Sequence, residues 1–156
     1  MPVEIERKFL VRDDSWRGLG RAVRIRQGYI AADESRSVRV RRAGDRAFLT
    51  VKGGQGLVRS EYEYEIPADE ADEMLDTLCC GPLIDKQRHA IDFAGMEWVV
   101  DEFEGAHAGL VLAEVELDHA DQIVELPCWI GREVTGDPRY LNASLAKAGR
   151  PPEADS

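Results

Sequence analysis

A run of apolar residues long enough to cross a bilayer as a helix, ~18 in succession, is missing from this chain. Met1 to Leu10 alternates charged and apolar residues with no apolar h-region, so no signal peptide is expected. Cysteine is scarce and poorly spaced for chemistry. Cys79, Cys80 and Cys128 are odd in number and lack CxxC spacing, which predicts reduced thiols in a cytoplasmic protein. Histidine is equally sparse: His89, His107 and His119 stand apart, and no histidine metal cluster is expected. Positive charge is in deficit, with 20 Lys and Arg against 30 Asp and Glu and a formal net charge of −10. That balance argues against sequence-independent binding to nucleic acid or an anionic membrane. Internal repeats and low-complexity linkers are absent as well.

The 156 residues, 44% apolar and 32% charged, suit one globular domain with a real core. A single domain is expected over residues 1–149, with a flexible tail from Arg150 to Ser156. Short segments rich in Val, Ile, Phe and Tyr predict strands at Val3–Val11, Val23–Ile30, Ser37–Arg42, Phe48–Lys52, Glu61–Ile66, Lys86–Phe93, Glu97–Phe103 and Leu110–Leu117. Gly44-Asp45 and Gly53-Gly54 sit where turns belong. Two helices interrupt this pattern. Pro67 suits a first helical position, Asp69, Glu70 and Asp72 suit the positive end of a helix dipole, and Gly81-Pro82 stops that helix. A second, short helix is expected from about Leu141 to Lys147, ended by Gly149. The fold class is therefore α+β, mainly β: an eight-stranded antiparallel barrel with a few flanking helices.

The strands alternate with period two, and one face is charged. Glu4, Glu6 and Lys8 share a face of the first strand. Arg39 and Arg41 alternate with Val38 and Val40, and Lys52 follows Leu49 and Val51. Glu61, Glu63 and Glu65 alternate with Tyr62, Tyr64 and Ile66; Lys86 and Arg88 open a strand; Asp101 lies in another; Glu114 and Glu116 flank Val115. The plainer reading is an antiparallel sheet with one solvated face. Against it, acids and bases are segregated by strand, and like charges stand two residues apart, where they repel unless an opposite charge lies between them. A metal ion answers the carboxylates and a polyanion answers the cations. Clustered Glu without His or Cys suits Mg²⁺ or Mn²⁺ better than Zn²⁺. Arg and Lys on facing strands suit phosphate oxygens. A barrel of eight strands can enclose one small ligand.

The segment Glu4-Ile5-Glu6-Arg7-Lys8-Phe9 resembles the ExExK signature that opens the CYTH superfamily, the triphosphate tunnel metalloenzymes. The resemblance continues in order through Gln27-Gly28-Tyr29, Val38-Arg39-Val40-Arg41, Leu49-Thr50-Val51-Lys52, Glu61-Tyr62-Glu63, Asp85-Lys86-Gln87-Arg88, Asp101-Glu102-Phe103 and Glu114-Val115-Glu116. It extends to Glu133-Val134-Thr135-Gly136-Asp137, Arg139-Tyr140 and Asn142. It implies an eight-stranded triphosphate tunnel that hydrolyses triphosphates, foremost inorganic tripolyphosphate, with Mg²⁺ or Mn²⁺. Carried over by position, Glu4, Glu6, Glu61, Glu63, Asp101, Glu114 and Glu116 become the metal-facing set, with Glu6, Glu114 and Glu116 as direct ligands. Lys8, Arg39, Arg41, Lys52, Lys86 and Arg88 become the phosphate cradle. Tyr29, Lys8, Arg41 and Lys86 become the catalytic candidates, Tyr29 having barrel packing as its alternative role. His89 departs from the Tyr often found at its position, and Glu65 reads as a solvated strand end. Arg132 and Arg139 could reach the tunnel mouth, or Arg139 could brace the last helix. A nucleoside or thiamine triphosphatase, a class IV-type adenylate cyclase and a non-catalytic polyphosphate-binding module remain alternatives, and a homodimer is left open.

Overall fold

The computed structural model describes residues 3–33, 35–54 and 57–153. In chain order the strands are β1 (Val3–Val11), β2 (Arg21–Ala32), β3 (Arg36–Ala43), β4 (Arg46–Gly53), β5 (Val58–Ile66), β6 (Cys80–Phe93), β7 (Met96–Glu104), β8 (Val111–Glu116) and β9 (Ile130–Glu133). Helix α1 (Ala68–Thr77) follows β5, and α2 (Asn142–Ala148) follows β9. All pairings are antiparallel, in the order β5-β4-β3-β2-β6-β7-β8-β1-β9. A further pairing of β5 with β1 closes the first eight strands into a barrel. Among the described residues the closing seam joins Val3, Ile5 and Glu4 to Ser60, Val58 and Arg59. Beyond it the same edge of β1 turns to β9, where Phe9 lies opposite Glu133 and Val11 opposite Ile130. Between the two, Lys8 is pinned through its backbone: its N–H donates to Thr135 Oγ1 at 2.9 Å, and its carbonyl accepts from Val134 at 2.8 Å.

The strand expected at Val3–Val11 has those bounds. Helix α1 ends at Thr77 with Leu78 as its C-cap, so Gly81-Pro82 does not stop it; that pair lies inside strand β6, which begins at Cys80 rather than Lys86. Strand β9 is an addition to the eight expected. Its four residues include Gly131, Arg132 and Glu133, too few apolar positions to reveal a period. The expected tail lies in part outside the described residues, which end at 153. Among the described residues no helix is long and apolar enough to cross a membrane.

Because the barrel interior is charged, the apolar cores lie elsewhere. Outward-facing Phe9, Trp98 and Val115 pack under Trp16 and Trp129 from the flanking loops, with the Trp98 ring 5.7 Å from Phe9 and 6.0 Å from Trp129. Outside β3 and β4, Ala71 and Leu75 of α1 cover Val40 and Ala47. A third cluster closes one end of the tunnel: Leu145 and Ala146 of α2 meet Tyr29, Ile84, Phe103 and Leu112. Helix α2 stops at Gly149, whose φ of 66° is the left-handed conformation glycine adopts without strain.

Strand β2 changes register against both neighbours around Gly28 and Tyr29. A Cβ on Gly28 would stand 2.7 Å from Leu83 Cδ2 and 2.9 Å from Cys79 Cβ. Gly28→Ala should therefore cost about 1–3 kcal/mol through overpacking. Urea unfolding checks this, and an unchanged midpoint would show that the contact yields freely.

Candidate active site

Residues paired across antiparallel strands share a face, so the register assembles the site. Lys8 stands opposite Glu114 and Glu6 opposite Glu116 across β1–β8. Glu4 faces Arg59 across the seam, Lys52 faces Glu61, and Thr50 faces Glu63. Tyr29 faces Arg39, Gln27 faces Arg41, and Arg88 faces Asp101. The register thus puts these acids and bases on one face of the sheet, with Glu63 and Glu116 at exposed positions.

The basic wall is deep. Lys86 is fully buried and Arg39 only 4% exposed. Asp101 accepts from Lys86 Nζ at 2.8 Å and from Nε and Nη2 of Arg88 at 2.8 Å each. Burial alone would raise the Asp101 carboxyl, but the two cations hold it well below the usual range. Burial pushes the Lys86 ammonium down to about 7 against the pull of Asp101, with Arg88 and Arg41 adding repulsion. Burial, followed by repulsion from Arg39 and Arg88, brings Arg41 down to about 9. Its Nε donates to the buried Gln27 Oε1 at 2.7 Å. Burial lowers the Arg88 guanidinium, but Asp101 outweighs burial and raises it overall. Arg39 and Arg41 contact the neutral Thr50 and Gln27, and an excess of cations of this kind suits a polyanion.

The Lys86 shift has a sign that can be checked. Between pH 7 and 10.5 the unfolded chain holds this proton and the folded chain does not, so the group makes stability rise with pH across that window. Wild type should gain melting temperature relative to Lys86→Met as pH climbs from 7 to 10. A constant difference would refute the shift.

The acidic wall lies across the tunnel. Glu4 accepts from Lys52 at 2.9 Å and from Arg59 at 3.4 Å, while Glu6 accepts from Arg59 at 3.2 Å. Glu114 lies 3.5 Å from Lys8 Nζ, which also donates to the Tyr140 carbonyl at 3.0 Å. Glu61, Glu63 and Glu116 border an open recess of about 430 Å³ together with Val3, Tyr62 and Tyr64. Burial raises the Glu116 carboxyl, and the charges of Glu4, Glu61 and Glu6 raise it further. Among the described residues no three acids already form a metal cage; Glu4 and Glu6 are occupied by neighbouring cations. The donor set nevertheless fits a hard divalent ion, being all oxygen and carrying unneutralised negative charge around Glu116. Tyr29 is buried beside Arg39, Arg41 and Lys8, and burial outweighs their pull, so its hydroxyl stays protonated.

The CYTH domain profile matches residues 2–148. The chain belongs to the CYTH domain family. It is 53% identical over 148 residues to a protein named inorganic triphosphatase from Acetivibrio thermocellus, covering 94% of this chain and 95% of the relative. A second protein of that name, from Nitrosomonas europaea, is 40% identical over 147 residues, covering 92% and 96%. A crystal structure of an inorganic triphosphatase superposes with a TM-score of 0.68 at 36% identity, over 94% of this chain and 95% of the other.

In this CYTH domain, four residues singled out in the sequence have defined surroundings. Asp101, placed among the metal-facing acids, has both oxygens on Lys86 and Arg88 and stands within the basic wall. His89 lies outside the barrel, edge-on to Trp16 at 5.0 Å and 3.6 Å from Glu102. Arg139 pairs with Asp137 at 2.7 Å and covers the Tyr140 ring, just ahead of α2. Glu65 pairs with the exposed Arg46 at 2.7 Å at the strand end. Sequence reading missed Arg59, although stepping the Glu63–Glu61 face back by two residues lands on it. It also gave no role to Gln27 or to Thr50, the latter 3.3 Å from Arg39 Nη2.

Proposed function

We propose that this CYTH domain hydrolyses inorganic tripolyphosphate to diphosphate and phosphate inside the barrel, with Mg²⁺ or Mn²⁺ as cofactor. The two-walled interior carries the reading: an excess of cations faces carboxylates that are also in excess. The names of the two similar bacterial proteins support the same reaction. Glu6, Glu114 and Glu116 would hold the metal, with Glu4, Glu61 and Glu63 beside them. When bound, the ion supplies Lewis acidity and charge neutralisation at phosphate oxygens. Arg39, Arg41, Lys52 and Arg88 hold the polyanion in line and stabilise charge on the transferring phosphoryl group. Asp101 fixes Lys86 and Arg88 in position against that chain. Lys8, at the boundary of the walls, and the protonated Tyr29 hydroxyl donate to phosphate oxygens at the reacting end. Glu4 orients the attacking water and accepts its proton, and the diphosphate leaves.

One observation favours a second reading. A cavity of about 990 Å³ opens beside Tyr29 and Lys8, lined by Ala31, Ala32, Pro138, Leu141 and Ala143. Those small apolar surfaces leave space for an organic group, as a nucleoside or thiamine triphosphatase needs. Phosphate release from tripolyphosphate, ATP and thiamine triphosphate, each with Mg²⁺, Mn²⁺ or EDTA, decides between them. Tripolyphosphate should be cleaved fastest, and EDTA should abolish turnover. Tight binding without turnover would make the chain a binding module, and cyclic AMP with pyrophosphate from ATP would make it a cyclase.

A further inference from the structure

Arg59 is a cation seated among the acids of the acidic wall. It stands on β5 directly opposite Glu4 across the closing seam. Its Nη2 reaches Glu4 Oε2 at 3.4 Å and Glu6 Oε1 at 3.2 Å, while its side chain is only 13% exposed. It also lines a cavity with Lys8, Arg39 and Lys52, the phosphate-facing cations. One guanidinium shared by two nearby carboxylates fills the electrostatic role a bound cation would fill, because each acid would otherwise repel its neighbour.

We propose that Arg59 is a resident counter-ion that couples metal binding to triphosphate binding. The inference rests on the triphosphatase reading of the site. In the metal-free protein Arg59 neutralises Glu6 and shares Glu4 with Lys52, whose Nζ lies 2.9 Å from the same Oε2. A divalent ion entering the acidic wall competes for the same oxygens and leaves the guanidinium facing Lys52 and Arg39, where it is repelled. Metal alone is therefore disfavoured. A triphosphate reverses the balance by offering the released guanidinium an anion to which it can donate two hydrogen bonds. Each ligand then improves the site for the other, as reciprocal linkage requires. The physical benefit is selectivity against idle metal loading: the acidic wall is fully vacated only when the substrate is present to receive Arg59. The planar fork matters here, since lysine would offer a point charge to one acid at a time.

The test is calorimetric titration of Mn²⁺ into the purified protein with no phosphate compound present, for wild type, Arg59→Gln and Arg59→Lys. Folding of each variant is checked by melting. Arg59→Gln should bind Mn²⁺ tighter by on the order of 10-fold, and Arg59→Lys should fall between it and wild type. Mn²⁺ affinity that is unchanged or weaker in both folded variants overturns the proposal, because a merely structural Arg59 would not compete with the metal. If Arg59→Gln fails to fold, Arg59→Lys alone carries the test, with tighter binding supporting the counter-ion role and unchanged binding refuting it. Parallel assays of tripolyphosphate hydrolysis by wild type separate the two levels. Tighter metal binding in the variant without wild-type turnover sinks the triphosphatase reading alone. Normal turnover with unmoved metal affinity sinks the counter-ion alone.

Discussion

Replacing Arg41 with glutamine should lower tripolyphosphate hydrolysis by on the order of 10²-fold or more while raising the melting temperature of the ligand-free protein. The two effects share one cause. Arg41 is brought down to about 9 by burial and by Arg39 and Arg88, so its charged form is disfavoured by the fold that holds it. A neutral side chain relieves that repulsion. Glutamine can still donate to Gln27, which Arg41 contacts at 2.7 Å, and so avoids leaving a buried amide oxygen unpaired. The same repulsion makes the position valuable to a polyanion, whose charge is stabilised by donors already fixed in place and shielded from water. Tripolyphosphate added in EDTA should raise the wild-type melting temperature, since a ligand bound only by the native state stabilises it, and should raise that of Arg41→Gln much less. Phosphate release and thermal melting read both effects. A variant that keeps near-wild-type activity, or that melts lower than wild type, would remove Arg41 from the phosphate cradle.

Glu116→Gln is the matching experiment on the opposite wall. Activity should again fall by on the order of 10²-fold, here through loss of a metal carboxylate. The metal-free variant should melt higher than wild type, and the rise in melting temperature produced by Mg²⁺ should largely vanish. Burial and then Glu4, Glu61 and Glu6 raise the Glu116 carboxyl above its ordinary 4.5. The folded chain therefore holds this proton more readily than the unfolded one. The group's contribution to stability increases as pH falls through the range just above 4.5 and is a penalty at neutral pH. Glutamine mimics the protonated form and removes that penalty at every pH. Melting with and without Mg²⁺ at neutral pH is the measurement. A variant with undiminished Mg²⁺ stabilisation would take Glu116 out of the metal set.

Much of this architecture was legible in the sequence because charge and strand period coincide. A face carrying Glu4, Glu6 and Lys8 on one strand and Arg39 and Arg41 on another must turn inward or outward as a unit, and segregated signs made inward the informative choice. The pairing of Asp101 with Arg88 was legible in principle: counting back from the two-residue turn Ala94-Gly95 sets them opposite each other. The acidic residue type drew it into the metal set, since a residue list shows a carboxylate's charge but not which cation stands beside it. Arg59 was hidden for the opposite reason. It sits among the acids of its own strand, and its partners Glu4 and Glu6 come from β1 through a closure that no local pattern announces. Strand β9 escaped because its pairing to β1 depends on where β5 stops, a long-range fact.

That stopping point bears on how the wall moves. Among the described residues the β3–β4 ladder runs from Arg36 opposite Gly53 to Ala43 opposite Arg46, whereas the β1–β5 ladder holds Val3 to Ile5. A rolled sheet fastened by so short an overlap has one compliant line along an otherwise stiff cylinder, and thermal fluctuation concentrates there. Glu4 and Arg59 face each other on that line. The softest part of the wall is thus the part whose charges must exchange partners when a cation enters.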